Sequence, residues 1–214
     1  VSRLPAGHEY VLIGRPEELS EFERPGVVIH RCSVAPFSPK ELFFRSGPLK
    51  ADALLLPSYS LLGFLHGRRF ITIHDVLFLD HPEFCGGAVD RLVKILYLRL
   101  SYFFSRKIFT DSRFSRERIL DSVHPRSPVV VVPLGILDSE DELPRPGTKK
   151  DSGLLEFVGN LKKHKNLRTV FDALALPKLS GRGFRLVVVG SGEGMRTRDR
   201  EIAERPLVRE HRSV

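Results

Sequence analysis

Three lysines, Lys162, Lys163 and Lys165, follow a Gly159-Asn160 pair that ends the apolar run Leu154-Leu155-Glu156-Phe157-Val158. A helical pattern opens at Asn166. The spacing predicts a strand, a glycine turn and a helix start that carries a cluster of cations. Such a junction gathers free backbone N–H groups and positive charge, both of which suit a bound phosphate. An ordinary strand-to-helix connection with solvated lysines has the same signature, so the motif alone leaves both readings open. A second candidate is His74-Asp75, which closes the apolar run Phe70-Ile71-Thr72-Ile73. It puts an imidazole that titrates near neutrality at a strand's carboxyl edge. A core or capping histidine is the common alternative there, and Asp75 is better suited to orienting the loop than to chemistry.

Other constellations exclude more than they offer. Gly190-Ser191-Gly192-Glu193-Gly194 has the spacing G-x-G-x-G rather than G-x-G-x-x-G, and no acidic residue waits at the end of a following strand. A dinucleotide fingerprint is therefore not expected. His30, His66, His81 and His124 are scattered without metal-ligand spacing, so no metal site is expected. Cys32 and Cys85 are too few for a disulfide framework or a four-thiolate metal site, which favours a reduced, cytosolic setting.

The chain has 214 residues, 42% hydrophobic and 28% charged, enough for one domain or two small ones with a real core. Its net charge of +8 is concentrated. Between Asn160 and Arg185 lie Lys162, Lys163, Lys165, Arg168, Lys178, Arg182 and Arg185 against the single acid Asp172. That excess points to an anionic ligand, whether nucleotide, nucleic acid or acidic membrane surface. The longest uncharged stretch, Ala53 to Gly67, contains Pro57, Ser58, Ser60 and His66 and is too short and polar to span a bilayer.

The elements that must position these residues alternate. Strands are expected at Glu9–Gly14, Val27–His30, Ala53–Leu56, Phe70–Ile73, Lys107–Thr110 and Val129–Val132, then at Leu154–Val158 and Phe184–Val189. These are short apolar runs with little alternation, as in strands covered on both faces. Between Ala88 and Arg106, Val89, Leu92, Val93, Leu96, Leu100 and Phe103 recur at helical spacing, with Ile95, Leu98 and Tyr102 as a second stripe. The two stripes predict a core helix packed between neighbours. Asp111-Ser112 opens a further helix to about Val123, with Ser112 or Ser115 as its N-cap, and another helix is expected over about 166–176. The acidic and then Pro/Gly-rich stretch 138–153 reads as a linker. The expected fold is α/β: two Rossmann-like units with parallel sheets, over residues 1–137 and 154–214, the second too short to close a doubly wound layer.

Four segments, in this order and spacing, resemble the retaining glycosyltransferases of family 4, which have the two-domain GT-B fold. They are Phe70-Ile71-Thr72-Ile73-His74-Asp75, Thr110-Asp111-Ser112-Arg113-Phe114-Ser115, Val131-Val132-Pro133-Leu134-Gly135-Ile136, and the run from Phe157 to Leu167. The resemblance covers roughly residues 9 to 194. It implies transfer of a sugar, hexosyl in type, from a nucleotide-diphosphate-sugar to a glycan or lipid-linked acceptor with retention. It implies no cofactor beyond that co-substrate, no metal and no nucleic acid, with a cytoplasmic location and peripheral contact at the inner face of a membrane.

By the same resemblance, His74 faces the transferred sugar, with Asp75 beside it. Lys165 is the phosphate lysine, Gly159 admits the backbone to the diphosphate, and Lys162 and Lys163 contribute field. Asn160 stands where many relatives carry arginine and offers a neutral donor. Ser112 has a role as helix cap or as donor contact. Gly135 matches the hinge-side turn, although Leu134 departs from the usual asparagine, and Gly190 and Gly192 match the second turn of the donor domain. Relatives begin with a strand and glycine-rich loop, and carry paired glutamates further on, that this sequence does not show. The chain is therefore expected to be incomplete at both ends. A catalytically inactive remnant that binds anions or a partner chain is the alternative. A nucleic-acid-binding domain ranks last, because the basic segment lacks interleaved aromatics.

Overall fold

A computed structural model describes residues 7–43, 51–135 and 153–190. The chain divides into two compact units, Val1–Leu79 with Leu92–Leu134, and Asp80–Arg91 with Gly135–Val214. In chain order the elements up to residue 135 are β1 (Tyr10–Gly14), α1 (Pro16–Leu19), β2 (Val27–Arg31), β3 (Leu54–Leu56), β4 (Arg69–Thr72), α2 (Leu77–Asp80), α3 (Ala88–Phe103), β5 (Lys107–Thr110), α4 (Arg113–Val123) and β6 (Val129–Val131). Beyond them come β7 (Leu154–Val158), α5 (Leu167–Leu174), α6 (Pro177–Ser180) and β8 (Arg185–Val189). The fold is α/β and, among the described residues, every strand pairing is parallel.

Strands β3-β4-β5-β6 form one four-stranded sheet in that spatial order, and β1 and β2 pair in a sheet of their own. In the four-stranded sheet the register aligns Leu56, Ile71, Ile108 and Val129 in one row, all buried. This face receives α4, whose Ile119 is buried, and the buried side of α3, from which the Ser101 carbonyl accepts a hydrogen bond from Arg69 Nη1 at 2.8 Å. The guanidinium of Arg69 is fully buried, and burial lowers its pKa to about 10 against the opposing pull of Glu41. Glu41 is buried as well. Its carboxylate accepts the Phe37 N–H at 2.7 Å, the Ser60 hydroxyl at 2.9 Å and the Leu61 N–H at 2.6 Å, which fastens the 37–41 turn to the loop after β3.

The opposite face corrects the expectation of strands covered on both sides. Leu55 is 63% exposed, Val130 is exposed, and Phe70 stacks on Phe109 with both rings only half-buried. A run of apolar residues in a strand says that both faces are apolar, not that both find a covering layer. The helix α3 needs the same correction. Tyr97, Leu98 and Ser101 are its buried residues, whereas Val89, Leu92, Leu96 and Phe103 face outward. Helical spacing identifies two stripes but not which of them has a neighbour.

The second unit is smaller. Strands β7 and β8 pair from Leu154↔Arg185 to Val158↔Val189. The core on one side is Leu161, Leu167 and Val188, with Phe157, Val170, Phe171 and Leu186 packed against it. Leu154, Glu156 and Val158 form the alternate row and are exposed, so here too only one face is covered. Among the described residues no helix is long and apolar enough to cross a membrane.

Candidate functional site

Three adjacent strands of the four-stranded sheet deliver one cluster at their carboxyl ends. Pro57 follows β3, His74 lies two residues beyond β4, and Asp111 follows β5. Open parallel sheets place ligands outside this edge, because loops there carry side chains free of the ladder. The His74 ring bridges the cluster, with Nδ1 2.6 Å from Asp111 Oδ2 and Nε2 2.9 Å from the Pro57 carbonyl oxygen. A carbonyl oxygen and a carboxylate are both acceptors, so both ring nitrogens must donate. Only the imidazolium does that. The Asp111 hydrogen bond accordingly raises the His74 pKa above its ordinary value. Burial opposes it, while the Pro57 carbonyl and the charges of Asp111 and Asp75 assist it. The imidazole side chain is 52% exposed and the Asp111 carboxylate 24%.

Neighbouring residues hold this arrangement. Asp75 Oδ1 accepts the Leu77 N–H at 3.0 Å, which fixes the turn into α2 and gives Asp75 a positioning role. Ser112 caps α4 from extended backbone, its Oγ accepting the Ser115 N–H at 3.0 Å. Its hydroxyl proton lies toward Ser115 Oγ at 3.1 Å. Asp111 thus sits just outside a helix N-terminus, where the backbone dipole favours a carboxylate.

In the second unit the backbone, rather than side chains, builds the candidate site. Gly159 and Gly190 end the paired strands β7 and β8 with φ of +155° and +152°, and the Gly159 N–H donates to the Val189 carbonyl at 2.9 Å. A Cβ on Gly190 would overlap the Gly159 carbonyl, so the two turns approach as closely as glycine permits. From Gly159 the chain drops Leu161 into the core, passes through a 3-10 turn over Lys163–Lys165, and re-enters the core at Leu167. Asn166 takes the left-handed conformation at φ 50°, and its Oδ1 accepts the Thr169 hydroxyl at 3.0 Å. With Leu161 and Leu167 anchored, Lys163 and Lys165 are exposed, and Lys162, Lys163 and Lys165 form no ion pair among the described residues. Asn160 Oδ1 is buried and has no hydrogen-bond partner there. A buried acceptor left open beside three uncompensated cations favours a ligand that carries both anionic groups and a donor.

The sequence-derived residues therefore fall into two groups. His74 and Asp75 share the carboxyl edge of β4, and Ser112 opens the helix that follows Asp111. Gly159, Asn160, Lys165 and Gly190 share the turns after β7 and β8. Gly135 is exposed, its φ does not require glycine, and a Cβ there would meet nothing within 4 Å among the described residues. Gly192 lies outside the described residues. Asp111 and the Pro57 carbonyl were not singled out from sequence. The available signal was positional, since Asp111 follows its strand much as His74 follows the neighbouring one.

No family model matches the chain, and no curated protein matches it.

Proposed function

We propose that the chain is part of a GT-B-type, family-4-like retaining glycosyltransferase that binds a nucleotide-diphosphate-sugar and transfers the sugar to a glycan or lipid-linked acceptor. The observation that carries the reading is the contact of the Gly159 and Gly190 turns at the carboxyl ends of adjacent parallel strands, followed after Gly159 by Lys162, Lys163 and Lys165, which form no ion pair among the described residues. Departure of a nucleoside diphosphate builds charge on phosphate oxygens, and fixed cations and backbone N–H groups lower that cost without reorganising. Lys165 and Lys163 supply cations, the close backbone admits the phosphates, and Asn160 Oδ1 takes a hydroxyl or amino donor of the ligand. In the first unit, the Asp111-bound His74 presents a protonated, oriented imidazole at the sheet edge. Its ring N–H groups are engaged, so it acts on a sugar through its exposed edge and charge rather than as a base.

The alternative, a catalytically inactive anion-binding module, keeps the cations but needs no selectivity for nucleoside. Calorimetric titration of the 214-residue chain with uridine diphosphate, guanosine diphosphate and inorganic pyrophosphate separates the two. The proposal expects one nucleoside diphosphate to bind at least about tenfold tighter than pyrophosphate, and Lys165→Ala to remove about that factor, the loss of one charge-assisted contact. Equal affinity for pyrophosphate and both nucleotides favours the anion-binding module. Nucleotide affinity unchanged in Lys165→Ala sinks the assignment of that lysine.

A further inference from the structure

The amino-terminal edge of the four-stranded sheet, opposite to the edge of His74, carries a second feature. A cavity of about 430 Å³ is lined by Arg68, Phe70, Arg106 and Lys107. Among the described residues its three cations form no ion pair, and no acid lines it. The register sets Lys107 directly across from Phe70 on the uncovered face of the sheet. The Phe70 ring continues into Phe109, which stacks on it at a centroid distance of 6.2 Å and an interplanar angle of 18°. A flat aromatic surface thus lies beside a group of unmatched cations.

Backbone and buried contacts fix both arginines. The Arg68 N–H donates to His66 Nδ1 at 3.3 Å, and the Arg68 carbonyl accepts the Leu54 N–H at 3.0 Å. The Arg106 N–H donates to the Arg69 carbonyl at 2.7 Å, which joins the starts of β4 and β5. On the covered face, Arg69 Nη1 donates to the Ser101 carbonyl at 2.8 Å and to Ser105 Oγ at 3.1 Å. Its Nε and Nη2 have no hydrogen-bond partner among the described residues. That buried guanidinium adds a fourth positive charge to the same edge, and the Glu41 carboxylate is already taken by Phe37, Ser60 and Leu61. Like charges fixed in one place repel, and an anion that neutralises them relieves the repulsion.

We propose that this cavity binds a small phosphate monoester with a planar aromatic body, a mononucleotide in chemical class, with Arg68, Arg106 and Lys107 on the phosphate and the Phe70 ring against the base. Charge, size and surface select this ligand together. Guanidinium forks match phosphate oxygens. The volume falls in the range of small-molecule sites, about 300–1,000 Å³, and leaves room for more than a phosphate. A nucleobase of any identity has a π-face that stacks on an aromatic ring. The site uses none of Gly159, Lys165 and Gly190 and does not rest on the glycosyl-transfer reading, so the failure of one leaves the other standing.

The test is calorimetric titration of the 214-residue chain with adenosine monophosphate, ribose phosphate and inorganic phosphate. Adenosine monophosphate is expected to bind at least about tenfold tighter than ribose phosphate, the contribution of one stacked base. Arg106→Gln weakens both esters by on the order of tenfold, the loss of a charge-assisted contact, and Arg106→Lys keeps a larger share of the binding. Phe70→Leu removes most of the preference for adenosine monophosphate and leaves ribose phosphate binding in place, which separates loss of stacking from loss of fold. Lys165→Ala leaves these affinities unchanged. Absence of adenosine monophosphate binding, or equal affinity for adenosine monophosphate and ribose phosphate, overturns the proposal. So does adenosine monophosphate binding that is lost in Lys165→Ala and indifferent to Phe70→Leu, which assigns that nucleotide to the turn after β7. A single-stranded oligonucleotide held far tighter than the mononucleotide through Arg106 and Phe70 overturns it in favour of a nucleic-acid surface.

Discussion

The turns after β4 and β5 and the turns after β7 and β8 occupy equivalent places in their sheets, yet they are stabilised in opposite ways. Around His74 the order comes from side chains. Asp111 and the Pro57 carbonyl take both ring N–H groups, Asp75 holds the next turn, and Ser112 caps the next helix. Charge there is matched, imidazolium against carboxylate. Around Gly159 and Gly190 the order comes from backbone packed against backbone, and charge is unmatched among the described residues, where Lys162, Lys163 and Lys165 form no ion pair. A charge-matched cluster is finished without a ligand and can only orient one. An unmatched cluster gains from an anion. Under the proposed function, the first region would then orient the sugar and the second would supply affinity for the diphosphate.

The largest expected effect lies in the second region. In Gly190→Ala the new Cβ meets the carbonyl and carbonyl carbon of Gly159, which are backbone and cannot swing away, at a φ that disfavours any side chain. A loss of roughly 2–4 kcal/mol is expected from strain and overpacking together. Gly135→Ala is the control, because its Cβ would meet no atom of the described residues within 4 Å. It should stay within about 0.5 kcal/mol of the parent chain. Urea denaturation of both variants checks this, and equal losses would show that the close approach of the two turns carries no stability of its own.

How far the sequence announces these features depends on whether they are local. Lys107–Thr110 and Leu154–Val158 are strands with the bounds expected, because each is an apolar run ended by a polar or glycine residue. Ser112 is read as a cap from the polar pair that precedes Arg113. The His74–Asp111 pair is not local. Its members are 37 residues apart, and they meet only because β4 and β5 are neighbours with Thr72 level with Phe109. The requirement for glycine at position 190 is hidden in the same way, since it arises from a contact with the β7 turn rather than from a turn type. The outward stripe of α3 marks the other limit. Periodicity gives the stripe, and only the three-dimensional arrangement tells whether something covers it.

A smaller effect is expected from the cap that supports Asp111. Ser112→Ala removes the acceptor for the Ser115 N–H at the start of α4. About 1 kcal/mol of stability should be lost, the usual cost of an N-cap serine. If the side-chain account of the first region is right, the loss comes with a displaced Asp111. The His74 pKa then falls toward its ordinary value, read from the imidazole proton shifts in an NMR titration. A stability loss without any change in the titration would make the cap a property of the helix alone.

The smallest effect in energy is the most diagnostic of the comparison. His74 has a raised pKa chiefly because Asp111 accepts its Nδ1 proton. A group whose folded pKa lies above its unfolded value stabilises the fold fully below the unfolded value, near 6.5 for histidine, and ceases to do so as pH rises through the folded value. The parent chain should therefore lose stability between about pH 5.5 and about pH 8.5 by an amount held below about 1 kcal/mol, because the imidazole is half exposed and the pair is screened. In Asp111→Asn the carboxamide can donate to a neutral Nδ1 while Nε2–H still reaches the Pro57 carbonyl, so the neutral ring satisfies both contacts. The pKa of His74 then falls, and its share of the pH-dependent loss disappears. Nucleoside-diphosphate affinity at the lysine turn should be untouched, since that region draws its charge from Lys163 and Lys165. Denaturation at both pH values, paired with calorimetry on the same variant, reads the two regions separately. A His74 pKa unmoved by the substitution would show that the proton on Nδ1 is not held by Asp111, and the description of the first region as a charge-matched cluster would fail.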